Sequence, residues 1–119
     1  MLEAALLCLA MNVYYEARGE HPRGRVAVAQ VTMARAKKPG NVCPTVYAAK
    51  QFAWTERKGV APRDGKAWRS AVNIARRVLA GDLRDVTGGA THFHHVNARP
   101  RWAKKLTRVA TIGEHIFYS

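Results

Sequence analysis

The acidic residue whose position most invites chemistry is Glu16. Seven residues separate Leu2 from Leu9, and seven more separate Leu9 from Glu16. On an α-helix seven residues make two turns less about 20°. Glu16 therefore continues the stripe of Leu2, Leu6, Leu9 and Val13 at the C-terminal end of that helix. Partial burial and the negative end of the helix dipole both disfavour an ionised carboxyl there, which raises its pKa. Such a group can hand a proton to a leaving oxygen near neutral pH. The plainer alternative is a helix-terminal Glu paired with Arg18 or another base. Glu20, four residues on, is a second catalytic candidate; its other reading is a charge that favours the N-terminus of the next helix.

The run Thr91-His92-Phe93-His94-His95 is the other chemistry-bearing segment. On a strand His92 and His94 share one face and His95 takes the other. With His115 they are zinc candidates, but no Cys or carboxylate stands at ligand spacing and no HExxH helix exists. The expectation is no metal and no cofactor, with the imidazoles bonding a polar ligand or each other. Phe52, Trp54 and Trp102 lie in polar, loop-like segments. Their flat faces suit stacking on sugars or bases, or simple core packing.

These residues need elements to hold them. Apolar periodicity predicts a helix over 2–17, ended by Gly19, and a second starting at His21-Pro22 with Val26, Ala29, Gln30 and Met33 on one face. Residues 37–41 read as a turn and 44–50 as a short helical or irregular piece. Asp64 can cap a helix over 66–80 whose stripe is Trp68, Ala71, Val72, Ala75, Val78 and Leu79, with Gly81 ending it. Residues 90–96 alternate as a strand, and 108–112 with 115–118 as a hairpin across Gly113-Glu114. The fold class expected is α+β, one domain spanning 1–119, helices first and a small antiparallel sheet toward the C-terminus.

Composition narrows the partners. The 119 residues carry 20 Lys+Arg against 8 Asp+Glu, a net charge of +12. Residues 1–20 balance to −2 and residues 21–119 to +14. Such a body attracts polyanions. No zinc finger, helix-turn-helix or aromatic RNA-binding motif accompanies the charge, so nucleic acid is not the expected partner. No apolar run reaches the ~20 residues of a membrane span. The opening apolar segment carries Glu3 and lacks a basic lead, so no secretory signal is read. Cys8, in the apolar stripe, reads first as a buried thiol; a bridge to Cys43 requires an oxidising compartment.

Taken together, several blocks resemble the cell-wall hydrolase family typified by the spore-cortex-lytic enzymes. They are residues 8–20, ending Tyr15-Glu16-Ala17-Arg18-Gly19-Glu20; residues 24–35; Gln51-Phe52-Ala53-Trp54-Thr55; residues 87–94 with Pro100-Arg101-Trp102-Ala103; and Thr111-Ile112-Gly113-Glu114-His115-Ile116-Phe117-Tyr118. The resemblance implies a lysozyme-like domain acting on the MurNAc–GlcNAc bond of peptidoglycan. It carries the catalytic role to Glu16 and implies a lytic transglycosylase outcome. Gln51, Phe52, Trp54, Thr91, His92, His94 and Trp102 are then expected along a sugar groove. Glu20, Glu56 and Asp64 remain as second carboxylates for a hydrolytic muramidase. The expected setting is the bacterial wall, reached as a monomeric phage lysin through a membrane pore or by a leader outside this sequence, with the basic body holding anionic envelope polymers. The rival from another class is a noncatalytic basic module binding envelope polymer or nucleic acid.

Overall fold

The structure is a computed structural model that describes residues 2–48, 52–56 and 62–119; the side chains of Leu2, Ala53 and Glu56 also lie outside the description. Helices α1 (Leu2–Ala17), α2 (Pro22–Ala36), α3 (Val42–Tyr47) and α4 (Gly65–Ala80) come first. Strands β1 (His92–His95), β2 (Arg108–Ile112) and β3 (His115–Tyr118) follow as an antiparallel sheet in the order β1-β3-β2. Short 3₁₀ turns occupy Pro39–Asn41, Ala53–Glu56 and Arg101–Lys105. This is the α+β architecture expected. No helix among the described residues is long and apolar enough to cross a membrane.

The leucine stripe does on α1 what its spacing predicts. Leu9 and Val13 are fully buried, with Leu6 packed beside them. Each such side chain contributes about 2 kcal/mol of transfer free energy. The predicted stripe of α4 packs into the same cluster, together with Val42 and Val46 of α3. The Asp64 carboxylate accepts the Ala67 N–H at 3.1 Å, and Gly81, at a φ of 74°, closes the helix in the left-handed conformation that glycine adopts without steric cost.

Helix α2 departs from the expected single face. Ala29 and Ala36 join the helical cluster, flanked by Val26 and Met33, whereas Ala27 and Val31 join a second cluster with Ala90, Ile112 and Phe117. The helix lies between bundle and sheet, so it is buried on two sides. Its alanines permit close approach on both. Gln30, placed on that one face by its spacing, clamps the chain leading to the sheet: its amide donates to the Arg84 carbonyl and accepts the Val86 N–H, both at 2.9 Å.

Three other expectations change. The 37–41 turn contains a left-handed Lys37 (φ 72°) that caps α2 through Met33 O, followed by a 3₁₀ turn. The next helix starts at Val42 rather than residue 44. Cys8 is not a free buried thiol: it forms a disulfide with Cys43, with Cα atoms 5.3 Å apart. Cys8 sits on the half-buried flank of α1, where α3 brings Cys43 alongside.

Strand pairing sorts the sheet's faces. His92 and His94 stand opposite Tyr118 and Ile116 of β3, and Arg108 of β2 also pairs with Tyr118. Phe93, Ala110, Ile112 and Phe117 occupy the other face, against Ala27 and Val31 of α2. The turn before β1 is held by Asp85, whose carboxylate accepts the Thr87 N–H (3.1 Å), the Thr87 hydroxyl (2.8 Å) and the Gly89 N–H (2.7 Å).

Candidate active site

Glu16 occupies the last turn of α1, three and four residues beyond the fully buried Val13 and Asn12. Its carboxyl is half-buried and has no hydrogen bond or ion pair among the described residues. Burial pushes its pKa from the ordinary 4.5 up to about 7. The pairing with Arg18 does not form. That guanidinium donates to the Tyr14 hydroxyl at 2.8 Å and lies over the Tyr14 ring. The result is a carboxyl that is part protonated at neutral pH and uncommitted to any of the described residues.

Polar contacts around α1 fix this helix end. Asn12 is buried on the same stripe, one turn before Glu16. Its Oδ1 accepts the Trp54 indole N–H at 2.7 Å, and its Nδ2 donates to Thr32 Oγ1 at 3.0 Å. Thr32 in turn donates to the Val28 carbonyl of α2 at 2.8 Å. Tyr15 stacks on Trp54, with ring centroids 4.7 Å apart. On the other flank, the Tyr14 hydroxyl accepts the Arg63 and Asp64 N–H groups at 3.1 and 3.0 Å, tying the start of α4 to α1.

A second group forms on the outer face of the sheet. Trp102, from the 3₁₀ turn, lies 5.1 Å from the His92 ring, 5.7 Å from His94 and 5.3 Å from Tyr118. His94 Nδ1 donates to the His95 carbonyl at 2.7 Å, which leaves Nε2 to accept from the Tyr118 hydroxyl at 2.8 Å. His92 bonds Thr91 Oγ1 at 2.9 Å. Burial, then the Arg35 charge, lowers the His92 pKa, which favours its neutral, hydrogen-bonding form at pH 7. Among the described residues no three His, Cys, Asp or Glu side chains converge as a metal site.

The expected residues thus separate into two sets. Thr91, His92, His94 and Trp102 come together, and Trp54 lies beside the helix of Glu16. Phe52 does not offer a stacking face. It is 3% exposed, packed against Phe93 at 6.4 Å with the Arg35 guanidinium 5.1 Å above its ring. Phe52 therefore lies under the surface and links the Trp54 segment to β1. Gln51 lies outside the described residues.

Among the possible second carboxylates, Asp64 is the cap of α4, and Glu20 accepts a backbone N–H from the β2–β3 turn at 3.0 Å. Glu114 pairs with His95 at 2.7 Å. Asn12, Tyr14 and Tyr118 are site residues the sequence reading missed. Asn12 carried a signal, being a polar residue inside an apolar stripe four positions before Glu16. Tyr118 carried a weaker one, through strand pairing with His92.

Comparison with known proteins identifies the family and the fold. A family model described as Cell Wall Hydrolase matches residues 19–118. A spore cortex-lytic enzyme of Halalkalibacterium halodurans is 33% identical over 115 residues, 92% of this chain and 33% of that protein. One from Bacillus cereus is 29% identical, over 92% of this chain and 42% of that protein. The chain thus spans less than half the length of these relatives. The catalytic domain of the germination-specific lytic transglycosylase SleB from Bacillus anthracis superposes with a TM-score of 0.74 at 25% identity, covering 98% of this chain and 95% of that one. The Bacillus cereus SleB catalytic domain gives 0.70, also at 25% identity, covering 98% and 91%.

Proposed function

The chain belongs to the cell wall hydrolase family, and from that premise we propose that it cleaves peptidoglycan glycan strands at the MurNAc–GlcNAc bond with Glu16 as the proton donor. One observation carries the assignment: a half-buried carboxyl with no partner among the described residues, its pKa raised to about 7 by burial. A carboxyl poised there holds a proton to give and, once ionised, takes one back.

The reaction runs as follows. Glu16 delivers its proton to the glycosidic oxygen as the C1–O bond breaks, and positive charge develops on the muramyl ring. The Glu16 carboxylate then removes the proton of the ring's own C6 hydroxyl as that oxygen bonds to C1. The products are a free 4-hydroxyl and a 1,6-anhydro end, and no water is consumed. A hydrolytic route requires a second carboxylate to activate water or attack C1. Glu20 and Asp64 are bonded to backbone amides instead, which supports the anhydro route. Trp102 supplies a ring face and His92 an imidazole suited to sugar hydroxyls, while His94, bonded through both ring nitrogens to His95 O and the Tyr118 hydroxyl, holds the cluster in place. The basic body, +14 over residues 21–119, supports affinity for anionic envelope polymers, and the substrate places its action at the bacterial wall.

The test is digestion of purified peptidoglycan followed by mass spectrometry of the soluble fragments. Wild-type protein is expected to release fragments one water lighter than hydrolysed ones, and Glu16→Gln to release none while remaining folded. Fragments with reducing ends refute the anhydro route. Undiminished release by Glu16→Gln refutes the acid assignment.

A further inference from the structure

Glu20 follows Glu16 by four residues, and its side chain is 14% exposed. Its Oε1 accepts the Glu114 N–H at 3.0 Å, a bond across 94 positions of sequence. The same oxygen lies 3.7 Å from Nδ1 of His115, a buried atom with no hydrogen-bond partner among the described residues. Beyond them, on the solvent side, Glu114 pairs with His95.

Two glycines make room for this side chain. A Cβ at Gly24 would stand 3.1 Å from the Glu20 Cβ and 3.3 Å from its Oε1. A Cβ at Gly113 would fall onto the Oε1 itself. Gly113 also has a φ of 56°, which L-residues rarely adopt. Glu20, Gly24 and Gly113, scattered through the sequence, thus form one slot and its occupant.

The corner carrying Glu20 is short and tied back to α1. The Glu20 N–H donates to the Ala17 carbonyl at 2.9 Å. The Arg18 carbonyl accepts from the Arg25 guanidinium at 3.4 Å. A displacement of Glu20 therefore reaches the last turn of α1 within four residues.

We propose that Glu20 is a positioning residue: its carboxylate pins the α1–α2 corner, and with it the turn bearing Glu16, to the β2–β3 turn of the sheet. It works as a hydrogen-bond acceptor, and it neither carries a proton nor activates water in the reaction. This bond links the turn bearing Glu16 directly to the sheet. The proposal rests on Glu16 as the acid, which Glu16→Gln tests separately.

The experiment compares Glu20→Gln, Glu20→Ala and Gly113→Ala for kcat and KM on soluble glycan strands, with melting temperatures recorded alongside. Gln keeps an oxygen that can accept the Glu114 N–H, so Glu20→Gln is expected to retain kcat within a few-fold. Glu20→Ala is expected to lose kcat by on the order of a hundredfold well below its melting temperature, the scale of an ångström-level misplacement, with KM little changed. Gly113→Ala is expected to lose kcat in the same sense although Glu20 is intact, because the new methyl displaces the carboxylate. Glu20→Gln as inactive as Glu20→Ala, with an unchanged melting temperature, overturns the proposal, since the charge would then be required. Full kcat in Glu20→Ala, with only the melting temperature lowered, also overturns it. If Glu20→Gln does not fold, Gly113→Ala decides: unchanged kcat in that folded variant sinks the idea.

Discussion

Replacing Glu16 with Gln should make the protein more stable at alkaline pH and leave it nearly unchanged at acid pH. In the unfolded chain this carboxyl loses its proton near 4.5, whereas the folded protein holds it until about 7. Folded protein binds more protons throughout that interval, so stability falls as pH rises through it. At 1.36 kcal/mol per pH unit the loss amounts to about 3 kcal/mol, complete above pH 7–8. Glutamine is uncharged at every pH and escapes the loss. The stability difference between variant and wild type should therefore grow by about 3 kcal/mol between pH 4 and pH 8.5. That corresponds to a melting-temperature gap on the order of 10 °C for a domain of this size. Any fixed cost of burying the amide cancels, because only the change with pH is read. Differential scanning calorimetry at a series of pH values, with the disulfide intact, measures it. A gap that stays constant from pH 4 to pH 8.5 refutes the claim that burial holds this carboxyl protonated. So does a variant that loses ground at alkaline pH.

Two further outcomes follow from contacts elsewhere in α1. The Cys8–Cys43 bridge closes 35 residues, so a Cys8→Ala/Cys43→Ala variant should lose about 3–4 kcal/mol in chemical denaturation; an unshifted midpoint contradicts this. Asn12→Leu leaves the Trp54 N–H and the Thr32 hydroxyl without their shared partner, for a loss of about 1–3 kcal/mol. Its tryptophan emission should shift to the red as Trp54 loosens, and an unchanged spectrum with an unchanged midpoint would count against Asn12 as the anchor.

The parts of this molecule that obey a single periodicity were legible in its sequence. The leucine stripe of α1, the Asp64 cap, the stripe of α4 and the alternating strands all appear where spacing predicts. Glu16 was legible for the same reason, being a polar residue in phase with an apolar stripe. Helix α2 was only half legible. A helix buried on two sides has no single face to announce, and its alanines read equally well toward either neighbour. Phe52 was misplaced because an aromatic ring between polar neighbours looks the same on a groove and beneath one; only the Phe93 and Arg35 contacts separate the two cases. The disulfide stood only as the alternative to a buried thiol, because a half-buried cysteine fits an apolar stripe whether or not a partner stands beside it. Glu20 and Gly113 stand 93 positions apart, so nothing local could reveal that one leaves space for the other.

The two-sided burial of α2 also decides how the molecule comes apart. Its Ala27–Val31 side is wall to the sheet's core, and its Ala29–Ala36 side is wall to the helical one. The sheet's apolar face, with Ile112 and Phe117, is covered by Ala27 and Val31 of α2, the helix it packs against. Drawing the sheet away strips one side of α2, and opening the bundle strips the other. Neither half is left with a complete interior. The turn bearing Glu16 and the Trp102 cluster are therefore expected to be lost together, in a single cooperative unfolding step.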